Sequence, residues 1–362
     1  MQKNKDTIEN NFQLKIFQEI NKATEGKNIM VSPISIYHII SLTANGAANK
    51  TLTEMLQALC EKDLIELNKK NSTISNLFSN LQSIEFANAV FTRFNPLNEF
   101  QNMSKTYKAK LDVLKDVDQI NQWCSEATHE KIPKIVDKIK PNDKMILINA
   151  IYFKGKWQEQ FDPTITFLDT FYDSNNKTSK IMFMNSTKKY DYFENKDIQA
   201  ISLNYKNDNL LALIILPKKE KDINDYIEYL TLNKYTNILS GLSNQKVRLS
   251  LPKFEFDFSK ELIQNFQTLG MHDAFDTSAA DFSVMKKEKD IYISNIIHKT
   301  YIKVDEEGTE AAAVTAVKTR DGFSFNDIQV MKVDHPFLFI IRNKDLQPGN
   351  DMIFIAKVES LK

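Results

Sequence analysis

Cys124 and His129 are the nearest pairing of a nucleophile with a base in this 362-residue chain. Both fall in a helical pattern, where positions i and i+5 point to different faces and share no reaction centre. The chain has no Gly-X-Ser-X-Gly elbow, no phosphate-cradling glycine loop and no His-Glu-X-X-His pair for zinc. Catalysis by the chain itself is not expected, and neither is a metal or a cofactor. A different chemistry is suggested by Glu306 to Asp327, "EEGTEAAAVTAVKTRDGFSFND". Drawn as a strand, Thr309 to Arg320 separate by parity, because successive residues face opposite sides. Thr309, Ala311, Ala313, Thr315, Val317 and Thr319 are uncharged and no larger than valine, whereas Glu310, Lys318 and Arg320 carry the charges. One edge is fit to be buried and the other to stay wet. The alternation stops at Asp321, a charge that would be costly to bury unpaired, and Gly322 follows. On composition alone the alanines read as an exposed helical turn. The preceding strand, the glycine break and the aromatics after it favour a loop offered as bait.

Elements must hold that loop in place. Phe12, Ile16, Phe17 and Ile20 form one helical face, and Ile120, Trp123, Cys124 and Ala127 repeat the pattern behind a capping candidate, Asp118. Leu210 to Leu216 reads as a strand, and Val247, Leu249 and Leu251 alternate with Arg248 and Ser250 as in a half-buried one. A helix is expected between Ser259 and Gly270, with Leu262, Ile263, Phe266 and Leu269 inward. Thr300, Ile302 and Val304 alternate with Lys299, Tyr301 and Lys303, so a strand leads straight into the loop. Helices first and strands later point to an α+β protein with large sheets. No linker or repeat divides the chain, which reads as one domain over residues 1–362.

Composition narrows the partners. Lys plus Arg is 47 and Asp plus Glu is 47, so no global charge draws the chain to nucleic acid or to an anionic membrane. No apolar run approaches a membrane span, and the N-terminus lacks a signal-peptide core. Two cysteines, Cys60 and Cys124, make no disulfide framework. The cytoplasm is the expected compartment, with export by a route lacking a signal peptide left open.

The chain resembles the serpin family from about Phe12 to Val358. "HKTYIKV" and "VDEEGTEAAAVT" are similar to the strand and hinge before the family's reactive loop, and "VDHPFLFIIRN" to the segment after it. "VSPISIYHIISLTANGA", "INQWCSEATHEKI", "INAIYFKGKW", "LPKFEF" and "LGMHDAF" match in the family's order and spacing. The resemblance implies three β-sheets, about nine helices and an exposed reactive-centre loop, here about residues 306–328. It implies a monomer that acts as a suicide substrate: a target serine protease cuts the loop, and the cleaved loop enters the large sheet while the acyl-enzyme is still attached. Glu306, Gly308, Thr309, Glu310, Ala311, Ala312, Ala313, Val314 and Thr315 are then the hinge. This hinge has no proline and no bulk at its inward positions, which favours an inhibitor over the family's non-inhibitory chaperones and binding proteins. Inhibition of cysteine proteases is equally permitted, since they too form an acyl intermediate.

The family's usual loop length places the cut near Gly322 to Phe325. Phe323-Ser324 is preferred, because phenylalanine fills the apolar primary pocket of chymotrypsin-like enzymes, cathepsin G-like ones included. Arg320-Asp321, suited to a trypsin-like target, is the alternative. The resemblance also assigns Ser32, Ser35, Asn149 and His298 to a polar latch beneath the opening sheet. Trp157, Lys253 and Glu306 go to the place where insertion begins. Residues 61–83 lack the basic stripe of heparin-binding members, so no polysaccharide cofactor is implied. Ala356 and Asn207 stand where glycine is usual, so altered turns are expected there.

Overall fold

The computed structural model describes residues 11–24, 26–206, 209–309 and 328–362. The apolar face read at Phe12, Ile16, Phe17 and Ile20 becomes α1 (Phe12–Lys22), started by Asn11, whose side chain accepts from Leu14 N. β1 (Ile29–Val31) leads into α2 (Pro33–Ala44), every residue of which is buried. A helix that is apolar nearly all round belongs in a core, so its few polar residues must find partners there. α3 (Asn49–Ala58) and α4 (Leu64–Asn80) pack around it, followed by β2 (Ile84–Thr92), α5 (Asn98–Thr106) and β3 (Lys110–Val113).

α6 (Val117–Ala127) buries Ile120 and Cys124 as its spacing predicts, but its cap is Asp116 rather than Asp118. Asp116 is extended and accepts from Gln119 N, while Asp118 sits in the first turn, where a carboxylate favours the helix dipole. The expected helix from Ser259 is likewise shorter. Ser259 to Glu261 pair with Lys299 to Ile297 and extend a strand, so that only α9 (Ile263–Thr268) is helical before Gly270 turns left-handed at φ 92°.

The remaining elements are β4 (Met145–Phe153), β5 (Gly155–Lys156), β6 (Phe167–Tyr172), β7 (Thr178–Glu194), β8 (Ile198–Asn204), β9 (Leu210–Pro217), α7 (Ile223–Glu228) and α8 (Leu232–Gly241). After them come β10 (Ser243–Pro252), β11 (Phe254–Glu261), β12 (Ile293–Val304), β13 (Gly308–Thr309), β14 (Gln329–Lys332), β15 (Phe337–Asn343) and β16 (Met352–Val358). Nine α-helices thus lie among the described residues, and the α+β class holds.

The strands form two hydrogen-bonded networks among the described residues. One runs β1-β16-β15-β9-β8-β7-β10-β14, with β6 on β7. β7 is 17 residues long; it pairs with β6 at its start, β10 along its middle and β8 at its end. Two of the three expected sheets therefore share that strand and count as one ladder. Ala356 lies in the middle of β16, opposite Met30 and Phe339, so the altered turn expected there does not arise. Asn207 lies outside the described residues.

The second network positions the site. Its order is β3-β2-β4-β12-β13-β5, with β11 on β12. At its centre β4 and β12 run parallel, from Met145 opposite Ile293 to Tyr152 opposite Tyr301. α2 lies against one face of this sheet. α6 and the segment after it cover the other through a small core of Phe91, Ile120, Cys124, Ile135, Ile148 and Ile297. That core joins residues of β4 and β12, so the cover spans the seam between them.

Candidate functional site

β12 ends at Val304, and Asp305 to Glu307 turn the chain back along it. Val304 pairs antiparallel with Thr309, while Gly308 and Thr309 pair on their other side with Lys156 and Gly155 of β5. Gly308 and Thr309 are thus already seated between β12 and the continuation of β4. Glycine is required at 308 for space: a Cβ there would fall 2.1 Å from Gly155 O. Thr309 is fully buried, and its hydroxyl shares a hydrogen bond with Tyr205 Oη at 2.7 Å.

The aromatic anchor of this seat is Trp157, 2% exposed, stacked on Tyr205 with ring centroids 4.5 Å apart. Its indole Nε1 donates to Asp305 O and its backbone N to Glu307 O, both at 2.9 Å. Lys253 Nζ donates to Glu306 Oε2 at 2.6 Å. Burial alone would raise the Glu306 carboxyl, but the lysine and neighbouring donors outweigh it and hold the group below its ordinary range. The residues expected where insertion begins, Trp157, Lys253 and Glu306, therefore meet around Gly308 and Thr309. Tyr205 was missed, being one tyrosine of 12 in the sequence.

Tyr205→Phe keeps the stack on Trp157 but leaves the Thr309 hydroxyl buried without its partner, at a cost of about 1 kcal/mol. Amide exchange at Thr309 is expected to quicken about fivefold. Unchanged exchange would mean that the hydroxyl pair does not hold β13.

Asn149 lies directly opposite His298 on β12 and Asn88 on β2. Ser35 Oγ donates to Asn149 Oδ1 at 2.7 Å, and His298 Nδ1 lies 2.5 Å from the same oxygen. Ser32 joins through its backbone, its N–H donating to His298 Nε2 at 3.1 Å, while its hydroxyl has no partner among the described residues. The four polar residues of the expected latch are thus in one buried cluster. Two further members were not foreseen. Asn149 Nδ2 donates to Asn88 Oδ1, and Asn88 Nδ2 faces His38 Nδ1 at 3.2 Å. Burial drives both His38 and His298 down to about 3, partly offset at His298 by Asn149. A signal for His38 does exist in the sequence: Ser32, Ser35 and His38 recur every three residues along α2.

Other expected residues fall elsewhere. Glu310, Ala311, Ala312, Ala313, Val314 and Thr315, and the candidate cut sites Arg320, Asp321, Phe323 and Ser324, lie outside the described residues. Cys124 is fully buried, with its thiol pushed up to about 12 by that burial, while His129 is exposed beside Glu85. The thiol is thus shut away from solvent while the imidazole faces it. Among the described residues there is no group of three or more His, Cys, Asp or Glu that could hold a metal, and no helix long and apolar enough to cross a membrane.

A family model described as serpin (serine protease inhibitor) matches residues 7–361. Human serpin B8 is 33% identical over 96% of this chain and 97% of its own length. Intracellular coagulation inhibitor 2 of Tachypleus tridentatus is 29% identical over 93% of this chain and 86% of that protein. The crystal structure of tengpin, a thermophilic serpin in its native state, matches with a TM-score of 0.90 at 32% identity, covering 98% of this chain and 94% of tengpin. A central seam with Gly308 and Thr309 paired at one end of it, a match over nearly the whole length and this likeness to tengpin lead to one conclusion: the chain belongs to the serpin family of protease inhibitors.

Proposed function

We propose that the chain traps a chymotrypsin-like serine protease by inserting its cleaved loop between β4 and β12. The observation that carries this reading is the parallel pairing of those two strands, with Gly308 and Thr309 already antiparallel to β12 at one end of their seam. A strand continuing from Thr309 would run antiparallel to both neighbours, replacing one parallel pair by two antiparallel pairs, the somewhat more stable ladder. The exposed-loop form is then a kinetically trapped state, and cutting the loop releases it.

The register supports the same reading. Stepping outward from Thr309 and back along β12 and β4 brings Ala311 between Ile302 and Phe153, and Ala313 between Thr300 and Ile151. Thr315 arrives between His298 and Asn149. All six body residues are buried, which the small inward side chains of the hinge suit. The Thr315 hydroxyl would meet the two groups that lose each other when the strands part. On the other face Glu310 would arrive between Lys303 and Lys154, opposite charges on either side.

The candidate bond is Phe323-Ser324, with Arg320-Asp321 the alternative. Incubation with chymotrypsin is expected to give an SDS-stable adduct and a released fragment beginning at Ser324. A clipped chain with no adduct and no gain in heat resistance would indicate a non-inhibitory member instead. An adduct formed only with a cysteine protease would move the target class. We place the activity in the cytoplasm, in keeping with the intracellular inhibitor from Tachypleus among the relatives.

A further inference from the structure

His38 is a second buried histidine, and loop entry by itself gives it no task. Its ring sits between α4 and the sheet: Nε2 lies 2.9 Å from Ser75 Oγ on α4, and Nδ1 lies 3.2 Å from Asn88 Nδ2 on β2. An amide NH₂ can only donate, so Nδ1 must accept and Nε2 must carry the proton toward Ser75. The same logic fixes every other link. Ser32 N–H donates to His298 Nε2, which leaves Nδ1–H to donate to Asn149 Oδ1. Asn149 Nδ2 donates to Asn88 Oδ1, and Asn88 donates to His38. The five bonds form one chain with a single direction, from the start of α2 across β12, β4 and β2 to α4. Each ring is held in one tautomer, and no link can be reversed without reversing the rest.

The α4 end of this chain is itself set by polar contacts. Asn45, the C-cap of α2, and Asn68 of α4 exchange hydrogen bonds at 2.9 and 2.8 Å, and Tyr107 Oη donates to Asn68 Oδ1 at 2.6 Å. An apolar interface between α2 and α4 would tolerate sliding. A hydrogen-bonded one fixes where α4 lies along α2, and with it the position of Ser75.

We propose that His38 is a positioning residue for loop entry, carrying the position of α4 through Asn88 to the Asn149–His298 contact that closes the seam between β4 and β12. The inference rests on the proposed insertion of the loop. Hydrogen-bonded chains in a dry interior strengthen one another, so an α4 that holds Ser75 in place stiffens the seam, and one that withdraws it loosens the seam. Coupling of this kind requires a two-state element that both ends bias, and the seam, closed or parted, is that element.

The test reads amide exchange by mass spectrometry in the intact, uncut chain, with no protease present. His38→Leu is expected to speed exchange in β4 and β12 at least tenfold, while β8 and β9 keep wild-type rates. Ser75→Ala, which leaves the ring in place and alters only the α4 end, should speed the same strands by a smaller factor. His38→Gln, whose amide can accept from Asn88 and donate to Ser75, should restore most of the protection. Asn88→Ala combined with His38→Leu should do no more than either alone. Equal acceleration in all strands, or β4 and β12 within threefold of wild type in both His38→Leu and Ser75→Ala, overturns the proposal. A chain that protects its seam through His38 yet traps no protease would leave this inference standing and remove the functional reading instead.

Discussion

Thr309→Arg is expected to turn the inhibitor into a substrate, raising the number of chains consumed per trapped protease at least tenfold. Thr309 is completely buried between β12 and β5, with its hydroxyl on Tyr205. A guanidinium does not fit a seat built for a threonine hydroxyl on Tyr205, and burying a charge without a built partner costs several kcal/mol. β13 would be expelled before any protease arrives, and after the cut the first step of insertion would run uphill. Insertion competes with hydrolysis of the acyl-enzyme, so a rise of about 1.4 kcal/mol in the barrier to entry already shifts the partition tenfold toward release. Cleavage itself needs only an accessible loop and should proceed at the wild-type rate. Thr309→Ala serves as control, because it keeps the seat small and neutral. An adduct yield for Thr309→Arg equal to wild type would show that this seat is not on the path of trapping.

The hinge could be read as an expectation because its requirement is local, though past Thr309 it lies outside the described residues. Period-two alternation of size and charge needs no knowledge of what the strand will pair with, and Gly308 announces a close backbone approach that the 2.1 Å clash at Gly155 O explains. The latch was legible only in part. Ser32, Ser35, Asn149 and His298 came from resemblance, and the structure adds Asn88 and His38 to them. Asn88 in "FANAVF" is a lone polar residue in an apolar run, and sequence alone does not say which face it takes. A one-residue slip between β2 and β4 would carry it to the α6 side, away from His38. Only the register that sets Asn88 against Asn149 decides the matter. Tyr205 illustrates the same limit at longer range. Its partner Thr309 lies 104 residues away, and nothing near either residue points to the other. The misplaced cap at Asp118 has a smaller cause: Asp116 and Asp118 both suit a first turn, and the extended backbone at Asp116 selects between them.

Stability should fall as pH drops from about 6.5, before the carboxylates begin to titrate. Burial holds His38 and His298 down to about 3, against an ordinary value of 6.5, so both rings stay neutral in the folded chain where an exposed ring would take a proton. The hydrogen bonds demand the same state. His298 Nε2 accepts from Ser32 N–H and His38 Nδ1 accepts from Asn88, so protonation would set donor against donor at each site. Between pH 6.5 and 3 the opened or unfolded chain therefore binds more protons than the closed one, and stability rises with pH across that window. The contribution is complete above about 6.5 and is lost progressively below it. Each unit of pH is worth about 1.4 kcal/mol per ring, so at pH 5 the two together weaken the fold by about 4 kcal/mol. Thermal scans at one fixed rate should show a drop of roughly 5 °C between pH 7 and pH 5. The same acidification should speed exchange in β4 and β12, because parting those strands frees the His298 ring to ionise. His298→Gln should roughly halve the drop in melting temperature, since His38 still titrates, and should flatten the exchange profile, its amide having no proton to gain in this range. A wild-type melting temperature that stays level from pH 7.5 to pH 5 would mean that neither ring is kept neutral by the closed seam, and the directional chain from Ser32 to Ser75 would lose its physical basis.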